Sequence, residues 1–124
     1  DIFISSQREL KRIFDTENVE FAANKLLKSG PELVAITLGS EGCMVTDSRL
    51  SVHRIPPFNT KAIDTTGAGD AFCAGLVTAL AEEKDMIEAG RFANAVAALK
   101  ITKLGARGLP TREEVEDLLS RQKP

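Results

Sequence analysis

Residues 64–76 decide the fold, and they read Asp-Thr-Thr-Gly-Ala-Gly-Asp-Ala-Phe-Cys-Ala-Gly-Leu. Gly67 and Gly69 let the backbone turn sharply, and the apolar run over residues 71–80 predicts a tightly packed helix. The first amides of a helix have no partners inside it and carry partial positive charge. A turn of small residues that opens a helix therefore predicts an anion site.

Asp70 is the unusual residue of this turn, because it places a carboxylate beside the predicted anion site. In one interpretation Asp70 only complements the helix dipole and the glycines form an ordinary turn. In the other, its carboxylate accepts the proton of an attacking hydroxyl. The spacing alone leaves both open. Phe72 stands where the dinucleotide-binding fingerprint needs a third glycine, and the sequence contains no Walker A run.

The composition is that of an ordinary globular chain, with 16 basic and 18 acidic residues and a net charge of −2. This balance does not indicate a partner such as nucleic acid or a membrane surface. No apolar run approaches the ~20 residues that span a bilayer, so we predict a cytoplasmic location. Cys43, Cys73 and His53 do not have the spacing of a zinc site.

Strand-like and helical segments alternate along the chain. Apolar runs predict strands over residues 2–4, 33–38, 43–46 and 50–55, and the run over 33–38 is typical of a strand covered on both faces. Helical patterns extend from Ser6 to about residue 14, over 18–28 and 71–80, from Asp85 to about 104, and from Thr111 to about 121. Gly105 is a natural residue to follow a helix. This order predicts an α/β layered domain with a mostly parallel sheet flanked by helices.

Residues 64–76 closely resemble the second signature of the ribokinase-like (PfkB) carbohydrate kinases. The resemblance covers essentially the whole chain. It implies that residues 1–124 are the C-terminal, nucleotide-binding half of that fold, without the N-terminal half that carries the acceptor site and lid. The chain begins at Asp1, directly in an apolar strand, which also indicates a fragment. We expect the isolated chain to be inactive and to expose a strand edge at residues 2–4 or 33–38.

The resemblance implies transfer of the γ-phosphoryl group of ATP to a hydroxyl of a sugar or nucleoside. In that reaction the amides of Gly67, Ala68 and Gly69 form the anion hole and Asp70 is the catalytic base. Such a transfer needs little covalent chemistry from the protein beyond alignment and charge stabilisation.

A second implied site is a nucleotide loop, because Thr37, Gly39 and Gly42 match the Thr-x-Gly-x-x-Gly pattern that lies against phosphates and ribose in the family. By itself the Gly-x-x-Gly link is more typical of a hairpin turn. Asn94 lies in the helix that flanks adenine in the family, so it either lines the base pocket or is a buried packing residue. Both readings of Asn94 stay open here.

Metal sites are implied at two places. In the family an Asn and a Glu after the first strand help to hold Mg²⁺ and phosphate, and here Glu9 matches while Ser6 replaces the asparagine. Capping of a helix explains Ser6 and Glu9 equally well. Many members also hold a monovalent cation such as K⁺, and the matching ligands are the backbone carbonyls of Asp64 and Thr66, closed by residues 100–105.

Two other functions remain open at this level. One is a non-catalytic nucleotide-binding or assembly module, favoured by the short chain and by Ser6. The other is a vitamin kinase of the same superfamily that acts on pyridoxal or hydroxymethylpyrimidine. The acceptor and the oligomeric state, a homodimer among the alternatives, depend on parts that the resemblance places outside this chain.

Overall fold

The structure, a computed structural model, describes residues 1–49, 51–103 and 109–122. It divides into two compact units, Asp1–Pro56 and Pro57–Pro124. The first unit contains β1 (Ile2–Ser6), α1 (Gln7–Phe14), α2 (Val19–Lys28), β2 (Leu33–Thr37), β3 (Cys43–Asp47) and β4 (Val52–Ile55). The second contains α3 (Ala68–Ala81), α4 (Met86–Lys100) and α5 (Arg112–Arg121). Within the described ranges, no helix has the length and apolar character that a membrane crossing requires.

The first unit is a four-stranded sheet in the order β1-β2-β3-β4. β1 and β2 are parallel, whereas β2 with β3 and β3 with β4 are antiparallel. The α/β class is confirmed, but these four strands are less parallel than the sequence analysis expects. The reason lies in the connections: β1 reaches β2 through two helices, while the short link over residues 38–42 can only reverse the chain.

Helices α1 and α2 pack on one face of this sheet. α1 begins at the predicted cap, where Ser6 Oγ accepts the Glu9 N–H at 3.2 Å. α2 has a cap that was not predicted, in which Asn18 Oδ1 accepts the Phe21 N–H at 3.0 Å. The core on this face consists of apolar side chains from both layers: Leu10, Val19, Ala22, Ala23, Leu27, Val34, Ile36, Leu38 and Met44. The unit therefore has a hydrophobic core of its own.

β2 is a central strand, and residues 33–36 are all buried on both of its faces, as predicted. The expectation that residues 33–38 form an open edge is therefore wrong. Of the two proposed edges, only β1 has a neighbour on one side alone among the described strands. The prediction for residues 50–55 is confirmed over Val52–Ile55, while Leu50 lies outside the described residues.

The second unit is built on the pair α3 and α4. α3 begins at Ala68, before the apolar run, because the small residues of the turn already adopt helical geometry. α4 starts after its predicted cap, where Asp85 Oδ1 accepts the Glu88 N–H at 2.8 Å. It ends at Lys100, earlier than predicted, and a turn over residues 101–103 follows. The predicted helix end at Leu104 and Gly105 lies outside the described residues.

The two helices approach closely at Gly75. A Cβ atom placed on Gly75 would lie 3.0 Å from Val96 Cγ2 and 3.1 Å from Ala93 Cα. Ala89, Ala93 and the other buried alanines of α4 continue this close contact, as the sequence pattern predicts. Because no larger side chain fits at Gly75, the distance between the start of α3 and the end of α4 is determined by this contact.

α5 is attached to α4 at both of its ends. Its N-terminus has the predicted capping box, in which Thr111 Oγ1 accepts the Glu114 N–H and Glu114 Oε1 accepts the Thr111 N–H at 2.9 Å. This backbone bond, together with Lys103 Nζ at 3.2 Å, holds the pKa of Glu114 below its ordinary value. At the other end, Arg91 Nη2 donates to the carbonyl oxygens of Leu119 and Gln122.

We predict that Gly75→Ala lowers the free energy of unfolding by about 1–3 kcal/mol, because the added methyl group overpacks the contact between α3 and α4. Chemical denaturation of the wild type and the variant measures the difference. Gly69→Ala is the matched control in the same helix, since nothing lies within 4 Å of a Cβ atom at Gly69. Equal stability of the Gly75 variant and the control would contradict the close approach described above.

Candidate active site

The turn that opens α3 presents backbone amides to open space. Gly67 caps the helix with φ of 80°, a left-handed conformation that a side chain would strain. The Ala68 N–H donates to the Thr65 carbonyl at 3.2 Å, so that amide is engaged within the turn. The N–H groups of Gly67 and Gly69 have no acceptor among the described residues. Two of the three predicted anion-hole amides are therefore available at the positive end of a helix.

Asp70 lies in the first turn of α3 and its side chain is exposed. Within the described part of the chain, its carboxylate makes no hydrogen bond and no ion pair. A carboxylate at this helix position commonly folds back onto the backbone of the cap, which Asp70 does not do. The exposed carboxylate and the two amides without an acceptor thus belong to one short turn, residues 67–70.

The segment before the turn is held by the end of α4. The Ile101 carbonyl accepts two bonds, from the N–H of Ile63 at 2.7 Å and from the N–H of Asp64 at 3.0 Å. The carboxylate of Asp64 is used locally, because Oδ1 accepts the Thr66 N–H at 2.9 Å. Asp64 therefore shapes the turn through its side chain, and residues 100–101 lie against it, as the resemblance implies.

The side chain of Lys100 contacts the turn, which the sequence analysis did not predict. Lys100 is the last residue of α4 and is only 1% exposed, and its Nζ donates to the Thr66 carbonyl at 3.1 Å. Its Cε would lie 3.4 Å from a Cβ atom on Gly67. The available signal was a charged residue at the end of the apolar run Ala97-Ala98-Leu99, where lysine is rarely buried without a partner.

Asn94 lies in the middle of α4 and is 7% exposed. Its side chain or backbone has an interaction partner, so it is not a free polar group. This burial fits a packing asparagine as well as one at the wall of a base pocket. The role of Asn94 toward a nucleotide stays a prediction.

The remaining predicted residues belong to the first unit and lie at one end of its sheet. Ser6 and Thr37 are partners in the parallel register, so both are at the carboxyl ends of their strands. Gly39 and Gly42 have φ of 61° and 92°, and the Leu38 N–H bonds the Gly42 carbonyl at 2.8 Å across the link. The link is a hairpin turn, and it also lies where open α/β sheets bind ligands. A Cβ on Gly39 would meet nothing within 4 Å.

Glu9 is near this sheet end, but its carboxylate is engaged in the cap of α1. Ser6 Oγ donates to Glu9 Oε1 at 3.0 Å while it accepts the Glu9 N–H. No group of three or more His, Cys, Asp or Glu side chains that could hold a metal ion occurs among residues 1–49, 51–103 and 109–122. Glu9 thus offers one carboxylate, which suits Mg²⁺ because that ion takes much of its shell from phosphate and water.

Comparison with known proteins identifies the family of this chain. A model of the pfkB family of carbohydrate kinases matches residues 1–112. The chain belongs to the pfkB family of carbohydrate kinases. A ribokinase from Haemophilus influenzae is 46% identical over 109 residues, which are 86% of this chain and 35% of that protein.

Two solved structures of family members have the same fold. Ribokinase from Arabidopsis thaliana, solved with ribose and ATP, has a TM-score of 0.88 at 34% identity and is matched over 96% of this chain and 40% of its own. A fructokinase double mutant from Vibrio cholerae was solved with fructose, ADP and a potassium ion. It has a TM-score of 0.86 at 30% identity, and the match covers 95% of this chain and 40% of the fructokinase. This pfkB-family chain spans less than half the length of these relatives.

Proposed function

We propose that the protein containing this chain transfers the γ-phosphoryl group of ATP to a hydroxyl of a sugar or nucleoside. The observation that carries the proposal is the exposed Asp70 carboxylate beside the unpaired amides of Gly67 and Gly69. Family membership limits the reaction class to carbohydrate kinases. The similar ribokinase that was solved with ribose and ATP supports a small sugar acceptor.

The amides provide the charge stabilisation. In phosphoryl transfer, negative charge is spread over the oxygens of the transferred group, and prearranged donors stabilise that charge without reorganisation. The amides of Gly67 and Gly69 fit this role in their present geometry. The Ala68 amide joins them by sharing or exchanging its bond to the Thr65 carbonyl, which at 3.2 Å is among the longer bonds of the turn. Each such donor is worth about 3 kcal/mol of barrier.

Asp70 is the general base. A carboxylate next to bound phosphate is repelled, so its presence at this turn needs a compensating task. Accepting the proton of the attacking hydroxyl is such a task, because the hydroxyl becomes acidic as the new P–O bond forms. Its exposure gives an acceptor hydroxyl access to the carboxylate.

The first unit contributes the nucleotide contacts in this proposal. Thr37, Gly39 and Gly42 bind phosphate and ribose through the hairpin turn at the carboxyl end of β2. For the second unit, the proposal separately assigns Asn94 a contact with adenine. Glu9 holds Mg²⁺, which would neutralise phosphate charge when bound.

A binding or assembly module is the second candidate, and the mutual Ser6–Glu9 bond favours it. In that bond the Glu9 carboxylate accepts the hydrogen of the Ser6 hydroxyl, which is the arrangement expected for a helix cap that binds no metal. The full-length protein, titrated with sugars, nucleosides and pyridoxal while ATP consumption is followed, separates the candidates. Turnover with a sugar or nucleoside supports the proposal, turnover with pyridoxal alone indicates a vitamin kinase, and ATP binding without any turnover indicates the module.

The base assignment predicts that Asp70→Asn in the full-length enzyme lowers kcat by about a hundredfold or more while the Kd for ATP stays within a few-fold. The amide keeps the size of the side chain and removes only its ability to take a proton. Steady-state kinetics and ATP titration measure the two quantities. Asp117→Asn, an exposed acid of α5, is the control for loss of charge. A variant that keeps more than a tenth of wild-type kcat would contradict the assignment.

The anion hole predicts a graded effect of side-chain size at Gly69. Gly69→Ala and Gly69→Val fill the open side of the turn, where nothing lies within 4 Å of the new Cβ atom. Both variants should therefore fold with near wild-type Tm, while kcat falls moderately for Ala and severely for Val because the phosphoryl group is displaced from the amides. Full activity of a folded Val variant would show that phosphate does not bind there.

Residues 1–124 alone should not phosphorylate a sugar. Proximity supplies about 7–11 kcal/mol of a barrier only when both reactants are held in near-attack geometry. The chain covers about two fifths of its solved relatives, and the proposal places the acceptor site outside it. Sugar-dependent ADP release by the expressed chain, with size-exclusion chromatography to detect association through the β1 edge, tests this. A monomer that turns over at ordinary kinase rates of about 1–100 per second would overturn the proposal.

A further inference from the structure

The buried ammonium group of Lys100 contacts a backbone carbonyl oxygen of the turn that opens α3. Its Nζ lies 3.1 Å from the Thr66 carbonyl oxygen, and its stem passes beside Gly67, with Cε 3.4 Å from where a Cβ atom would be. The side chain is 1% exposed, so the charge is almost fully removed from water. Removing a lysine charge from water is costly unless the protein supplies compensating groups. The surroundings of Lys100 must therefore favour a cation.

Backbone carbonyls and a helix end supply that compensation. Lys100 is the last residue of α4, where the helix dipole places partial negative charge. The Thr66 carbonyl adds a direct acceptor. A carbonyl oxygen near the negative end of a helix suits a positive charge, whether the charge belongs to a side chain or to a free ion.

The position of the ammonium has a consequence for the anion hole. The Thr66 carbonyl and the Gly67 N–H belong to one peptide group, which is planar and trans, so they point in opposite directions. A cation on the carbonyl side polarises this peptide and makes its N–H a stronger donor on the other side. Lys100 thus holds the orientation of the first amide of the turn and strengthens it toward an anion.

The same carbonyl is one of the two that the family resemblance assigns to a monovalent cation, and the related fructokinase double mutant was solved with potassium. In this chain the residues do not fit such an ion at Thr66, because the ammonium already occupies the oxygen. A second positive charge there would be repelled by the ammonium at close range.

We propose that Lys100 is a built-in cation that replaces a free monovalent cation behind the anion hole, so that the enzyme works without added potassium. Lys100 is a positioning residue, since it acts on phosphate through the Thr66–Gly67 peptide. The inference rests on the proposed kinase function where it is tested by kcat. Its second test, rubidium binding at the Thr66 carbonyl, does not require turnover.

The test uses the full-length protein in chloride salts of potassium, sodium or tetramethylammonium at equal ionic strength. Lys100→Ser removes the ammonium and leaves room for an ion, whereas Lys100→Met removes the charge and keeps the stem. Lys61→Ser removes an exposed lysine of the same unit and is the matched control. Rubidium soaked into crystals of each protein, located by anomalous scattering, reports directly whether an ion lies at the Thr66 carbonyl.

We expect wild-type and Lys61→Ser kcat to agree within about twofold in all three salts and to show no rubidium at Thr66. Lys100→Ser should lose at least tenfold in tetramethylammonium, recover most of that loss in potassium and bind rubidium at the vacated position. Lys100→Met should be slow in every salt and bind none. A merely structural lysine would give no recovery that depends on the ion.

A wild-type enzyme that is activated tenfold by potassium, or that binds rubidium at Thr66, would overturn the proposal. So would a folded Lys100→Ser variant that neither binds rubidium nor recovers in potassium. If Lys100→Ser does not fold, the wild type still tests the proposal, because activation by potassium or rubidium at the Thr66 carbonyl overturns it. Absence of turnover in every protein and salt would refute the kinase function instead, and the rubidium sites would still report on Lys100.

Discussion

The close contact of α3 and α4 at Gly75 is the constraint on which the second unit depends. A Cβ atom on Gly75 would lie only 3.0–3.1 Å from its neighbours, so the two helices pack at a distance that leaves no room for a larger residue there. That distance brings the start of α3 next to the end of α4. The Ile101 carbonyl can then bind the backbone of residues 63–64, and Lys100 can reach Thr66. A packing contact within the apolar core thereby determines the geometry of a polar turn about two helical turns away.

Features with a local physical cause could be predicted from the sequence. The caps at Ser6, Asp85 and Thr111 all form, because a side-chain oxygen and an amide three residues later meet in any helix that begins there. The turn that opens α3 belongs to this class as well, since Gly67 tolerates the left-handed geometry that it adopts there. The assignment of the chain to a kinase family came from the length of the motif, which physical reasoning about spacing did not supply.

Features that depend on tertiary contacts could not be predicted in this way. The mostly parallel sheet was expected from the alternation of strands and helices. The Gly-x-x-Gly link alone is typical of a hairpin turn, and the pairing of β2 with β3 shows that it does reverse the chain. Lys100 is the clearer case. In the sequence it is a basic residue at a helix end, typical of a solvated lysine that complements the dipole. Only the packing of α4 against the turn reveals that it is buried and bonded to Thr66.

The hydrogen bond between Ser6 and Glu9 bears on whether Glu9 can also hold a metal ion. The fold puts both residues at the carboxyl end of a parallel strand beside Thr37, where a ligand can reach them. The hydroxyl donates to the very carboxylate that a metal would use, at 3.0 Å. A hydroxyl can rotate away from an exposed carboxylate at the cost of about 1 kcal/mol, the usual net value of one hydrogen bond. A cost of this size does not exclude the metal role that we propose for Glu9, although the bond itself is the one that a helix cap without a metal makes.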